Sequence, residues 1–161
     1  MITFGMPKDK KLLAAMGRVA IADSQLNFIL RMTIKSILGL LSVQDARDRT
    51  YRKSSSKLRK LIKREARRKL GEGEALSRLE EILTRVACTT ERRNKLLHGL
   101  FAENIDTGEQ LIWGADNTFR KLPPVEELRT LEDEFEALRL ELDEARREGF
   151  LYKAIEAARR P

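Results

Sequence analysis

The 161-residue chain has one cysteine, one histidine and few aromatic residues, which make up 6% of it. A lone Cys88 cannot close an intrachain disulfide, so a reducing, cytoplasmic setting is expected. It stands ten residues before His98, about 15 Å along a helix, so no zinc site and no Cys-His nucleophile is expected; Cys88 is expected in the core as a small apolar residue. No glycine-rich phosphate loop of either common type is present, and no cofactor is expected. No stretch stays free of charge for the ~20 residues that a membrane span needs, and Met1-Ile2-Thr3-Phe4-Gly5-Met6-Pro7 lacks the basic region and continuous apolar core of a signal peptide. Membrane insertion and secretion are therefore not expected.

Charged residues fill 35% of the chain, and Leu, Ala, Glu, Lys and Arg dominate. That is the composition of long amphipathic helices and disfavours a sheet-rich fold. The formal net charge is +7, and the excess is local. Residues 47–68 are crowded with Arg and Lys, whereas 126–148 are mainly acidic. A polyanionic partner such as RNA fits the basic run, and Arg59, Lys60, Lys63, Arg64, Arg67 and Arg68 are its candidate backbone contacts. The same run also suits a solvated helix face.

Leu12, Met16, Val19, Asp23, Leu26, Leu30, Thr33, Ile37 and Leu41 recur at steps of four and three, which predicts a helix over about 8–40. A short helix over about 43–51 follows, and Ser54-Ser55-Ser56 offers hydroxyls to cap a basic helix that Gly71 and Gly73 end. Leu76, Leu79, Leu83, Val86, Thr90, Asn94 and Leu97 carry the helical spacing to Gly99. Asp106-Thr107-Gly108-Glu109 is then a turn between two strand-like runs, and Asp116-Asn117 can turn the chain into a third strand over 118–122. Trp113, with Phe101 and Phe119, could stack bases, but packing of this hairpin on the bundle is the favoured reading. Pro123-Pro124 suits a helix start, and Leu128, Leu131, Phe135, Leu138, Leu142 and Ala145 mark a last long helix, which could continue through Leu151 and Ile155.

Polar residues on an apolar stripe need a partner or a purpose. Asp23 lies on the stripe of the first helix. Thr90, Arg93, Asn94 and His98 interrupt the stripe of the later one. Asn94 and His98 share a face, and the long Arg93 side chain can reach the same side. An arginine holds phosphate through a fixed fork of donors, and a histidine exchanges its proton near neutral pH, so together they suit phosphodiester chemistry. A metal-free RNA cleavage must take a proton from the 2'-hydroxyl, give one to the leaving 5'-oxygen and hold charge on the phosphate. One histidine per chain makes this simplest in a homodimer. The plainer reading is a histidine that only interacts with a helix dipole.

A long helix with an acidic stripe residue, a basic helix, and a helix ending Arg93-Asn94-Lys95-Leu96-Leu97-His98 before Gly99 resembles the HEPN superfamily of helical nucleotide-binding and RNase domains. Ala22-Asp23-Ser24-Gln25-Leu26 and Ser56-Lys57-Leu58 also match, so the resemblance covers about 18–101. It implies an all-α, antiparallel helical bundle; the small β-hairpin insertion over about 101–122 and the long helix over about 124–148, read from turn signals and spacing within a single domain over 1–161, are what the resemblance leaves unexplained. It implies catalytic roles for Arg93 on the phosphate, His98 in proton transfer and Asn94 in orienting His98 or the ribose, with Asp23 in support. It also implies a metal-independent endoribonuclease, homodimeric, in a toxin-antitoxin or defence setting with a possible antitoxin partner. The alternative is a non-catalytic module of the same type that binds RNA or a protein.

Overall fold

A computed structural model describes residues 1–160; Pro161 lies outside the described residues. Strand β1 (Ile2–Phe4) is followed by helices α1 (Lys10–Leu38), α2 (Val43–Thr50), α3 (Ser55–Leu70) and α4 (Glu74–Leu97). Strands β2 (Leu100–Asn104), β3 (Glu109–Trp113) and β4 (Phe119–Lys121) come next, and helices α5 (Val125–Arg147) and α6 (Phe150–Ala157) complete the chain. The protein is mostly helical but not all-α. The expected hairpin is part of a four-stranded antiparallel sheet in the order β1-β2-β3-β4.

Side chains cap the starts of the first three helices. Asp9 caps α1 by accepting from the Lys11 and Leu12 amides at 2.8 and 3.3 Å. Gly39, in the left-handed region at φ +66°, stops it, because that conformation is open to glycine and closes off the helix carbonyls. Leu41, placed on the α1 stripe by its spacing, therefore falls outside the helix and is 95% exposed. Ser42 and Asp45 form a capping box at the start of α2, and Ser54 caps α3. Helix α5 does not run on: the chain breaks at Glu148 and Gly149. The separate α6 then tucks Leu151 and Ile155 into the core.

One core collects the apolar stripes. Helix α1 packs against α3 and α5, and α4 packs against α3 and α5. Val19, Leu26 and Leu30 of α1, Leu58 and Ile62 of α3, Leu79 and Val86 of α4, and Leu128, Phe135 and Leu142 of α5 are buried together. The heptad-like stripe of α5 is thus core. Its acidic face meets arginines on neighbouring helices: Glu132 with Arg18, Glu141 with Arg85 and Glu134 with Arg92. Cys88 corrects an expectation. Two residues past the buried Val86, it is rotated about 200° around α4 and lies exposed. No single helix among the described residues is long and apolar enough to cross a membrane.

The sheet covers the end of α4. Strand β1 pairs Phe4 with Ala102, and β3 pairs Trp113 with Leu100 and with Phe119. Gly108 (φ +69°) and Asn117 (φ +59°) make the two turns. Phe101 packs against the helical core, whereas Phe4, Trp113 and Phe119 gather on one sheet face with ring centroids 5.9–6.5 Å apart. Packing on the bundle therefore holds for Phe101 alone of the three hairpin aromatics. Close approach of β3 to the end of α4 depends on Gly99, where a Cβ would lie 2.3 Å from Ile112 Cγ2 and 3.2 Å from the Trp113 carbonyl oxygen.

Two alanine substitutions should move stability in opposite directions. Gly17, exposed inside α1, has open space around it, so Gly17→Ala should stabilise by about 0.5–1 kcal/mol through helix propensity. Gly99→Ala should destabilise by about 1–3 kcal/mol through overpacking against β3. Urea unfolding of both variants measures the contrast, and a neutral Gly99→Ala would contradict the close approach.

Candidate functional site

The site begins with a carboxylate on a stripe of hydrocarbon. Asp23 shares the α1 stripe with the fully buried Val19 and Leu26 and is itself 7% exposed. A charge so placed needs a counter-charge, and Arg93 of α4 supplies it, with Nε 3.3 Å from Asp23 Oδ2. The Nε hydrogen is not aimed at the carboxylate, so this is an ion pair and not a hydrogen bond, and Nε has no hydrogen-bond partner. Burial raises the Asp23 pKa above the usual carboxylate range; Arg93, and Arg59 beyond it, pull the other way and offset only part of the rise.

The far end of the Arg93 side chain carries the arrangement further. Nη1 donates to Asn94 Oδ1 at 2.9 Å and lies 3.3 Å from His98 Nε2. The reach from Arg93 around the helix to His98, expected from side-chain length, is present. A guanidinium has only donors, so a hydrogen bond in this contact requires Nε2 to accept, with the ring proton on Nδ1. His98 sits at the C-cap of α4, its backbone amide donating to the Asn94 carbonyl at 3.1 Å. Arg93 is half-buried, and Asn94 and His98 are exposed.

These groups line a cleft of about 600 Å³ whose opposite wall is the start of α3. There Arg59 Nη1 donates to Ser55 Oγ at 2.6 Å. Burial lowers the Arg59 pKa while Asp23 raises it, and the group stays cationic, as arginines do in proteins. Two buried oxygens on the walls, Asn27 Oδ1 and Thr90 Oγ1, have no partner. A smaller cleft of about 330 Å³, bounded by Lys95, Gly114, Asp116 and Arg120, reaches His98 from the sheet side. The imidazole can thus be approached from two directions.

Of the six basic residues proposed on α3, the fold brings Arg59 alone into the cleft. Lys63 and Arg67 reach Glu80 at 3.2 and 3.0 Å, and Arg67 also holds Glu72 at 2.8 Å. Arg64 and Arg68 pair with Glu65. Lys60 is exposed outside it. The reason is the phase of α3: Leu58, Ile62 and Ala66 fix the buried side, and Arg59 is the cation that this rotation turns toward Asp23. Ser54, Ser55 and Asn27 were not anticipated as wall residues. Asn27 had a signal, since it lies one helical turn after Asp23. No group of three or more His, Cys, Asp or Glu side chains among the described residues converges as a metal site. No known protein family, curated protein or solved structure matches the chain.

The raised Asp23 pKa fixes the sign of a pH effect. The folded state binds this proton more tightly than the unfolded chain does. Stability contributed by the protonated group is therefore present at low pH and lost as pH rises from the usual carboxylate range through the raised pKa. Urea unfolding of wild type and Asp23→Asn across that window should show the wild type losing stability relative to the variant. A wild-type advantage that instead grows with pH would mean that Arg93 outweighs burial.

Proposed function

We propose that the protein is a metal-independent endoribonuclease of HEPN type, active as a homodimer, with RNA as its substrate and a toxin or defence role in the cytoplasm. The observation that carries this reading is the 3.3 Å approach of Arg93 Nη1 to His98 Nε2 at the edge of an open cleft. An arginine fork beside an imidazole nitrogen unites a phosphate ligand with a proton acceptor. His98 Nε2 takes the proton of the 2'-hydroxyl, Arg93 stabilises charge on the phosphate, and Asn94 and Asp23 hold the guanidinium in place. The 2'-oxygen bonds to phosphorus as the bond to the 5'-oxygen breaks. That leaves a 2',3'-cyclic phosphate and a leaving group that needs a proton. A second copy facing the first supplies it from its own histidine, since each chain has one.

A second reading is favoured by a different observation. Phe4 and Phe119, exposed beside Trp113, give the sheet an apolar outer face of the kind that marks a protein contact. Here the fold is a non-catalytic binding module, and the possible partner is an antitoxin or another protein.

The two readings differ in one assay. The purified protein should cut single-stranded RNA in EDTA and leave 2',3'-cyclic ends. Arg93→Ala and His98→Ala should each lower the rate by about 100-fold or more, and the positioning variant Asp23→Asn by less. Cleavage that persists in both alanine variants sinks the nuclease reading. Absence of cleavage in the wild type, with association weakened by the same substitutions, favours the binding module.

A further inference from the structure

Helix α1 carries a polar line beyond Asp23. Asn27 and Arg31 follow at steps of four, about 6 and 12 Å farther along the axis. Asn27 lines the cleft of the Arg93 site and also a neighbouring cleft of about 550 Å³ between α1 and α2. Its Nδ2 donates to the Asp23 carbonyl at 2.9 Å, and Oδ1 is buried without a partner.

The second cleft has the charge that the first lacks. In the first, Asp23 and Glu91 balance Arg59 and Arg93. The second is lined by Arg31, Arg47 and Arg52 with no carboxylate among its walls. Among the described residues none of these three arginines forms an ion pair. This contrasts with α3, where Lys63, Arg64, Arg67 and Arg68 are all matched by glutamates. Arg31 is fixed by donating from Nη1 to the Thr50 carbonyl at 2.5 Å and from Nη2 to the Lys53 carbonyl at 3.3 Å. Burial lowers its pKa, and the facing Arg47 lowers it further. Like charges held together without an anion are unfavourable, and a bound phosphate relieves them.

The same cleft offers aromatic faces. Tyr51 is 71% exposed and Phe28 46%. Arg52 adopts φ +55°, in the left-handed region that a non-glycine residue rarely occupies, and its guanidinium carbon lies 5.2 Å from the centre of the Tyr51 ring. Exposed rings interleaved with unpaired arginines are the combination that holds single-stranded nucleic acid, the rings stacking bases and the cations following the backbone.

We propose that the cleft between α1 and α2 is a subsite for single-stranded RNA, holding the nucleotides that flank the phosphate bound at Arg93. Arg47 and Arg52 contact phosphate, and Tyr51 and Phe28 stack bases. The proposal rests on the reading of the Arg93 cleft as an RNA-cleaving site, and its test separates the two.

The 161-residue His98→Ala protein, expected to hold RNA without cutting it, is titrated against a fluorescein-labelled 12-nucleotide oligouridylate and followed by anisotropy. Adding Tyr51→Ala should weaken binding about ten-fold or more, from loss of one stacked base. Adding Arg47→Gln with Arg52→Gln should weaken it and reduce the slope of log K against log salt by about 1.4, for two phosphates. Lys63→Gln should change neither. Thermal unfolding checks that each variant folds, which the exposure of Tyr51 favours. RNA binding weakened by these substitutions, in a protein whose wild type does not cut, keeps the subsite and overturns the cleavage reading. Cleavage by the wild type, with binding unmoved by both the tyrosine and the arginine substitutions, overturns the subsite alone. Competition by polyglutamate equal to that by RNA, together with a silent Tyr51→Ala, also overturns it and makes the cleft a dock for acidic protein. No RNA binding at all overturns both.

Discussion

A carboxylate on the core stripe of the longest helix is the constraint around which the site is arranged. Asp23 cannot turn to solvent without rotating Val19 and Leu26 out of the core, so the counter-charge must come to it. Arg93 does so from α4, and the guanidinium held at one end by Asp23 presents its other end to Asn94 and His98. The ion pair does not stabilise the fold on balance, since burial costs the charged Asp23 more than Arg93 returns. Its effect is positional. A long flexible side chain is confined to one direction, and a residue that packing alone would leave on the surface is drawn into a cleft.

Charge elsewhere is sorted by the same contacts that build the core. Once the stripe of α5 is buried, its glutamates face arginines on α1 and α4, and α3 meets Glu80 of α4 through Lys63 and Arg67. Exposed pairs of this kind add little stability singly. Among the described residues they match many of the cations of α3, α4 and α5 and leave Arg31, Arg47 and Arg52 without an ion pair at the α1–α2 edge. The three arginines gathered there add their attraction for an anion beside the Asp23 cleft.

Helices α1, α3, α4 and α5 were legible because each carries a stripe whose period survives in the sequence, and ends were legible where Gly39 and Ser54 supply the cap chemistry; the break that separates α6 was not. The N-terminal strand was not. Ile2-Thr3-Phe4 is too short to show alternation and becomes a strand only by pairing with β2, a contact nearly a hundred residues away. Arg93, Asn94, His98 and Asp23 stood out as polar residues on apolar stripes, and their convergence follows from it. The sorting of basic residues into paired and unpaired sets was hidden, because Arg67 and Arg31 look alike until Glu80 of α4 is found beside one and the Thr50 and Lys53 carbonyls beside the other. Cys88 was misjudged from the apolar character of its neighbours, when its angular distance from Val86 already put it on the far side of α4.

The last turn of a helix is ordinarily where it frays, since its final carbonyls lack partners and its residues open most easily. His98 occupies that turn in α4. With no side chain at Gly99, β3 lies directly against the chain as it leaves the helix, and the sheet acts as a buttress on the weakest point of α4. Fraying of α4 past His98 must therefore also break the approach of Gly99 to Ile112 and Trp113, a cost that a free helix end would not carry.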